Sequence, residues 1–194
     1  MSFSTARSCV AALLLSLPAL AADTVSREQV LEAVRVFDAN ACGSVPGASS
    51  AQDASEAVAR ASNTILRFAL DSDDVSVDLG TDAVPWCDVK KGIAAMTNSG
   101  ERGLLLAAYL SGSVKAQLQS GRKDANPYAG WTAMLRVYRA LKVREAVNVP
   151  EVEDLLARQK AGTLEAFAAE TLQRSTDKLR KAYGELAPAG AAKS

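Results

Sequence analysis

Leu104-Leu105-Leu106-Ala107-Ala108-Tyr109-Leu110 decides the fold, because seven consecutive apolar residues at helix-favouring positions leave no polar face. Within a helix read from Ser99 to Ser120, such a run is apolar all round, and a helix of that kind lies in the middle of other elements. Ala108 and Gly112 stand four apart on it and leave a groove in which a neighbouring backbone can come close. Gly121 supplies the left-handed residue that ends it.

Outward from this centre the chain reads as further helices. Asn126-Pro127 is an N-cap followed by proline at the first helical position, and Tyr128, Trp131, Leu135, Tyr138 and Leu141 recur along the helix they start. Pro150 begins another, with Val152, Leu155 and Leu156 inward and Gly162 at its close. Thr163 is read as the cap of the last helix, whose apolar positions are Leu164, Phe167, Leu172 and Leu179.

On the N-terminal side, Ser26 and Gln29 form a capping box ahead of Val30, Val34, Phe37 and Ala41 at helical spacing. Gly43, Pro46 and Gly47 stop that helix. A second runs from about Ala51 to Leu70 with Ala54, Val58, Ala61, Ile65 and Phe68 on one face. Residues 75–79 alternate apolar and polar, but no second strand is available to pair with them, so they read as extended loop. Pro85, Trp86 and Cys87 are read as opening a short helix that reaches Ile93 and Met96. The expected fold is all-α, a compact bundle of about six or seven helices.

The first residues bear on destination. Arg7, the apolar run from Val10 to Leu17, Pro18 and then Ala19-Leu20-Ala21 have the layout of a secretory signal peptide with cleavage after Ala21 or Ala22. Ser16, Pro18 and Asp23 interrupt the stretch before it reaches the roughly 20 apolar residues of a membrane anchor. The expected organisation is signal peptide 1–21, one helical domain 22–187 and a disordered tail 188–194, with a periplasmic or secreted product and no stable membrane insertion after cleavage. Cys9 leaves with the signal, so Cys42 and Cys87 remain as a pair in an oxidising compartment and are expected to form an intramolecular disulfide. Closing that loop would remove denatured-state entropy worth about 4 kcal/mol on the chain-entropy account.

The sequence contains no histidine. That removes Ser-His and Cys-His nucleophilic catalysis, imidazole acid-base work and imidazole metal sites. Ser120-Gly121-Arg122-Lys123 matches S-x-x-K, but the S-D-N and K-T-G elements that accompany it in penicillin-binding enzymes are missing. The stretch from Asp71 to Asp82 has acids at the first and third positions of a calcium loop, yet Val75, Ser76 and Asp82 occupy the places of the fifth ligand, the turn glycine and the bidentate glutamate. Glu151, Glu153 and Asp154 crowd the start of a helix, where acids favour the dipole. The expectation is a protein with no catalytic residues, no metal and no cofactor.

The formal charge is balanced overall but not along the chain. Between Asp23 and Asp88 there are 12 acids against 4 bases, a net of −8, and from Val89 onward 17 bases face 10 acids, a net of +7. Such asymmetry marks either a partner surface or two halves that satisfy each other on folding. No basic stripe interleaved with aromatics is present, so nucleic acid is not an expected partner. Asp71, Asp73, Asp74 and Asp78 have only Arg67 and Lys90 near them in sequence and are the candidate residues for binding a protein partner.

A leader, an all-helical body of this size, two cysteines near the ends of early helices and the small-residue stretch Ala108-Tyr109-Leu110-Ser111-Gly112 together resemble the small helical periplasmic immunity proteins that act against type VI secreted amidases. The resemblance spans roughly Val30 to Phe167 and implies a non-enzymatic inhibitor that plugs a toxin's active site. The alternative that suits the same residues is a general envelope chaperone or scaffold; the oligomeric state is left open.

Overall fold

The computed structural model describes residues 24–42, 51–88, 90, 92–97, 100–125 and 127–186. The elements in chain order are α1 (Arg27–Asn40), α2 (Ala51–Asp71), α3 (Ile93–Thr97), α4 (Glu101–Ser120), α5 (Pro127–Glu145), α6 (Pro150–Lys160) and α7 (Leu164–Leu186), with no strand among the described residues. The protein is thus an all-helical bundle. The expected signal peptide, the expected C-terminal tail and Asn126 lie outside the described residues. No described helix is long and apolar enough to cross a membrane.

α4 is the central helix and packs against α1, α2, α3 and α5. Its residues from Leu105 to Ser111 are all buried, as the unbroken apolar run requires. Each leucine taken fully out of water there contributes about 1.5 to 3 kcal/mol of apolar burial. α5 lies along α4 and carries α6 and α7 on its other side. The two helices approach closely because glycines face them from both sides. A Cβ on Gly112 would stand 2.5 Å from the Ala129 carbonyl oxygen, and one on Gly130 would stand 2.4 Å from the Tyr109 ring. Leu105, Ala108, Trp131 and Leu135 share the core that this crossing encloses. Trp131 also stacks on Phe167 of α7 at 5.5 Å, with the Arg158 guanidinium 3.9 Å from the same ring.

The helix ends follow the local chemistry. The Ser26 box is reciprocal: Gln29 N–H donates to Ser26 Oγ at 3.2 Å and Ser26 N–H donates to Gln29 Oε1 at 2.7 Å. Gly121 takes φ 68°, ψ 12° and donates its N–H to the Gln117 carbonyl. Thr163 stands directly before α7: its carbonyl accepts the Phe167 N–H at 3.1 Å, the first bond of that helix, while its hydroxyl donates back to the Arg158 carbonyl at the end of α6.

Two expectations are corrected. Pro85, Trp86 and Cys87 do not open a helix; they form turns, and α3 begins only at Ile93. Here Cys87 N–H closes a tight turn on the Val84 carbonyl, and Arg102 of α4 donates to the Trp86 carbonyl. Nor are Cys42 and Cys87 bonded: both are free thiols. α1, which ends beside Cys42, is tied to α4 at Lys115 through Asp38 and at Leu118 through Arg27, whereas Cys87 follows the Trp86 carbonyl held by Arg102. Compartment and number permit a disulfide, but the bond also needs the two Cα atoms within about 7 Å of each other and the thiols facing. The Trp86 ring beside Cys87 meets Tyr109 edge-on at 6.0 Å.

Candidate partner-binding site

The acidic segment after α2 is held by side chains from three helices. Buried Gln117 of α4 reaches it as a backbone would: its Nε2 donates to the Ser76 carbonyl at 2.8 Å and its Oε1 accepts the Ser76 N–H at 2.8 Å. This gives the extended residues the pairing that a second strand would have supplied. Tyr109 Oη donates to the Asp78 carbonyl at 3.0 Å, and Trp131 Nε1 donates to the Ala83 carbonyl at 2.7 Å. Burial, reinforced by the Asp78 charge, pushes the Tyr109 phenol well above its ordinary range, so it stays a donor at any physiological pH. From α7, Lys178 Nζ reaches Asp82 Oδ2 at 2.6 Å and Arg174 approaches the same oxygen at 4.0 Å.

These contacts divide the four candidate aspartates. Asp78 is half-buried and belongs to the loop itself: its Oδ1 accepts the Gly80 N–H at 2.7 Å, and its Oδ2 is buried with no hydrogen-bond partner. Asp71, Asp73 and Asp74 are exposed at the C-terminal end of α2, and among the described residues no ion pair reaches them. Negative charge at a helix C-terminus opposes the macrodipole. No basic residue in the last turn of α2 offsets it. Leu70, also half exposed, stands directly beside these acids.

Residues 76–82 and α7 enclose a groove of about 530 Å³, lined by Val77 and Leu79 on one wall and Leu172 and Leu179 on the other, with Asp82 and Lys178 at its edge. Sequence reasoning did not find this groove, since its two walls lie about a hundred residues apart. The only trace in the sequence is Leu179, placed at an apolar position of α7 and 59 % exposed in the fold.

The other candidates resolve into structural contacts. Glu151 faces Arg102 at 3.4 Å and Asp154 pairs with Arg158 at 2.9 Å within α6. Glu153 accepts from Lys142 and, at 2.5 Å, from the Tyr138 hydroxyl, and these two bonds hold its carboxyl below the usual carboxylate range. Ser120 ends α4, its hydroxyl 3.3 Å from the Gln117 carbonyl. The Cys87 thiol is pushed up to about 11, chiefly by burial, which leaves it protonated and unreactive near neutrality. Among the described residues no three Cys, Asp or Glu side chains converge on a point where a metal ion could bind. The charge asymmetry along the chain is partly satisfied internally, because Asp38 pairs with Lys115 and Arg136, and Asp82 with Arg174 and Lys178.

The chain matches no protein-family model, no curated protein and no solved structure.

Proposed function

We propose that this is an exported, non-enzymatic binding protein whose docking surface is the acidic corner formed by Asp71, Asp73 and Asp74 with Leu70 among them. One observation carries the reading. Three carboxylates stand where the α2 dipole disfavours them and where no described cation compensates, so their presence costs stability that packing does not require. Residues that oppose stability at an exposed site point to selection for contact with something else. A partner with a basic face fits, because opposite potentials accelerate encounter. The resemblance to periplasmic immunity proteins makes that partner a secreted toxin, and the role that of an inhibitor. Asp78 is set apart from this surface by its bond to Gly80 and is assigned to holding the loop.

The test is recovery of partners from envelope extract by the wild-type protein and by the triple variant Asp71→Asn, Asp73→Asn, Asp74→Asn. A discrete partner in one-to-one ratio, lost in the variant and released by salt, is the expected result. Identical recovery at every salt concentration would remove the acidic corner from the function. Recovery of many unrelated unfolded chains would replace inhibition with an envelope chaperone role.

A further inference from the structure

α1 and α2 pack side by side, and their outer faces enclose an open groove of about 720 Å³. Its floor is small and apolar: Ala33 and Ala61 are buried at the bottom, with Val36 and Ala57 half-buried above them. The rim is charged, and the charges are sorted by helix. Glu28 and Glu32 line it from α1, and Arg60 and Arg67 line it from α2. An apolar floor inside a charged rim is the arrangement of a protein interface.

We infer that this groove is the self-association surface of the protein, occupied by the same groove of a second copy in a two-fold dimer whose axis runs along the groove. The sorting of charge selects both the occupant and the axis. A two-fold axis along the groove sets α1 of one copy over α2 of the other, so that Glu28 and Glu32 meet the partner's Arg60 and Arg67, and the same contact repeats on the other side. An axis across the groove would set α1 over α1, acid against acid. The small floor residues let the two helix pairs approach as a four-helix layer. All four rim charges have neighbours within one chain, Glu28 accepting from the Ser26 hydroxyl at 3.0 Å and Arg67 keeping a contact of its own, and those of Glu32 and Arg60 do not prevent this. Glu32 meets Arg35 at 2.6 Å and Arg60 meets Glu56 at 3.3 Å, and both are single-turn pairs on the surface, which hold their partners weakly.

The test uses the full chain, expressed with its own leader and purified as the host leaves it, in sedimentation equilibrium from about 1 to 200 μM, a span that covers weak and moderate self-association. Wild type is expected to dimerise. The variant Glu28→Arg, Glu32→Arg and the variant Arg60→Glu, Arg67→Glu are each expected to dissociate at least about tenfold more readily, since each places like charges in both halves of the interface. Mixed together, the two variants are expected to dimerise again, because each then meets a rim of opposite sign. Circular dichroism and melting of each variant check that the helices persist. Should either charge variant fail to fold, Ala57→Trp, which fills the groove, supplies the same dissociation readout. A monomeric wild type across the whole range, charge variants that dimerise like wild type, or a mixture that stays monomeric would each overturn the inference. A wild type that stays monomeric while a different protein from the host remains bound to the groove would assign the groove to that protein and overturn it equally.

Discussion

Gly112 offers a test in which two physical effects predict opposite signs. In the middle of an exposed helix, replacing glycine by alanine stabilises by about 1 kcal/mol through backbone entropy. In this protein the added Cβ would stand 2.5 Å from the Ala129 carbonyl oxygen and 2.6 Å from the Ala133 Cβ, both on α5. Contacts of that kind relax to roughly 3.5 Å, so α4 and α5 must separate by about 1 Å locally. One of the two obstacles is backbone and cannot rotate away. Overpacking of this order costs about 1 to 3 kcal/mol. Subtracting the helical gain leaves Gly112→Ala destabilised by about 0 to 2 kcal/mol. Gly112→Leu, with three more carbons to place, is expected to lose about 3 kcal/mol or more. For a domain of this size each kcal/mol lowers the melting temperature by about 2 to 4 °C. Thermal melting followed by circular dichroism, with urea titration for the free energy, measures both variants. An alanine variant that melts higher than wild type would show that α4 and α5 are not in contact at Gly112, and the close crossing would be wrong.

Two other expectations follow from the clamped loop and the free thiols. Gln117→Ala removes both bonds to Ser76; since Ser76 is exposed and water can replace part of the loss, stability should fall by about 1 to 2 kcal/mol, with the Ser76 amide losing most of its protection in hydrogen exchange. Protection unchanged at Ser76 would mean that the loop is held by something else. Unfolded protein should react with two equivalents of thiol reagent per mature chain. In the folded protein at pH 8 Cys87 should lag far behind, because a thiol pushed up to about 11 is roughly one part in a thousand thiolate there. Rapid labelling of Cys87 would contradict its burial, and a gain of thiols only after reduction would restore the disulfide.

Local signals in the sequence determined most of the helical architecture. The Ser26 box, Pro127 and Pro150 at first helical positions, Gly121 in the left-handed region and the apolar run of α4 depend on neighbours within a turn or two, and each sits where its local chemistry places it. The misreading at Pro85-Trp86-Cys87 concerns a segment of turns whose Trp86 carbonyl is met by Arg102 of α4, 16 positions away, a contact outside the reach of local signals. For the cysteines, compartment and number suggested a bond, but pairing is a matter of distance and orientation in three dimensions, which neither encodes, and both thiols are free.

The candidate site shows the same division. The acidic composition of residues 71–78 was legible, because charge is carried by residue type. Only the tertiary structure separated Asp78, turned inward on Gly80, from the exposed Asp71, Asp73 and Asp74, and only it brought Lys178 to Asp82 from 96 positions away. It also placed Gln117 as the substitute for a missing strand, a role that a lone polar residue on an apolar helix does not announce. Caps, turns and helical periodicity are short-range effects, written in adjacent residues. Grooves, ion pairs and the sharing of backbone hydrogen bonds between distant segments depend on how the helices pack, which adjacent residues do not encode.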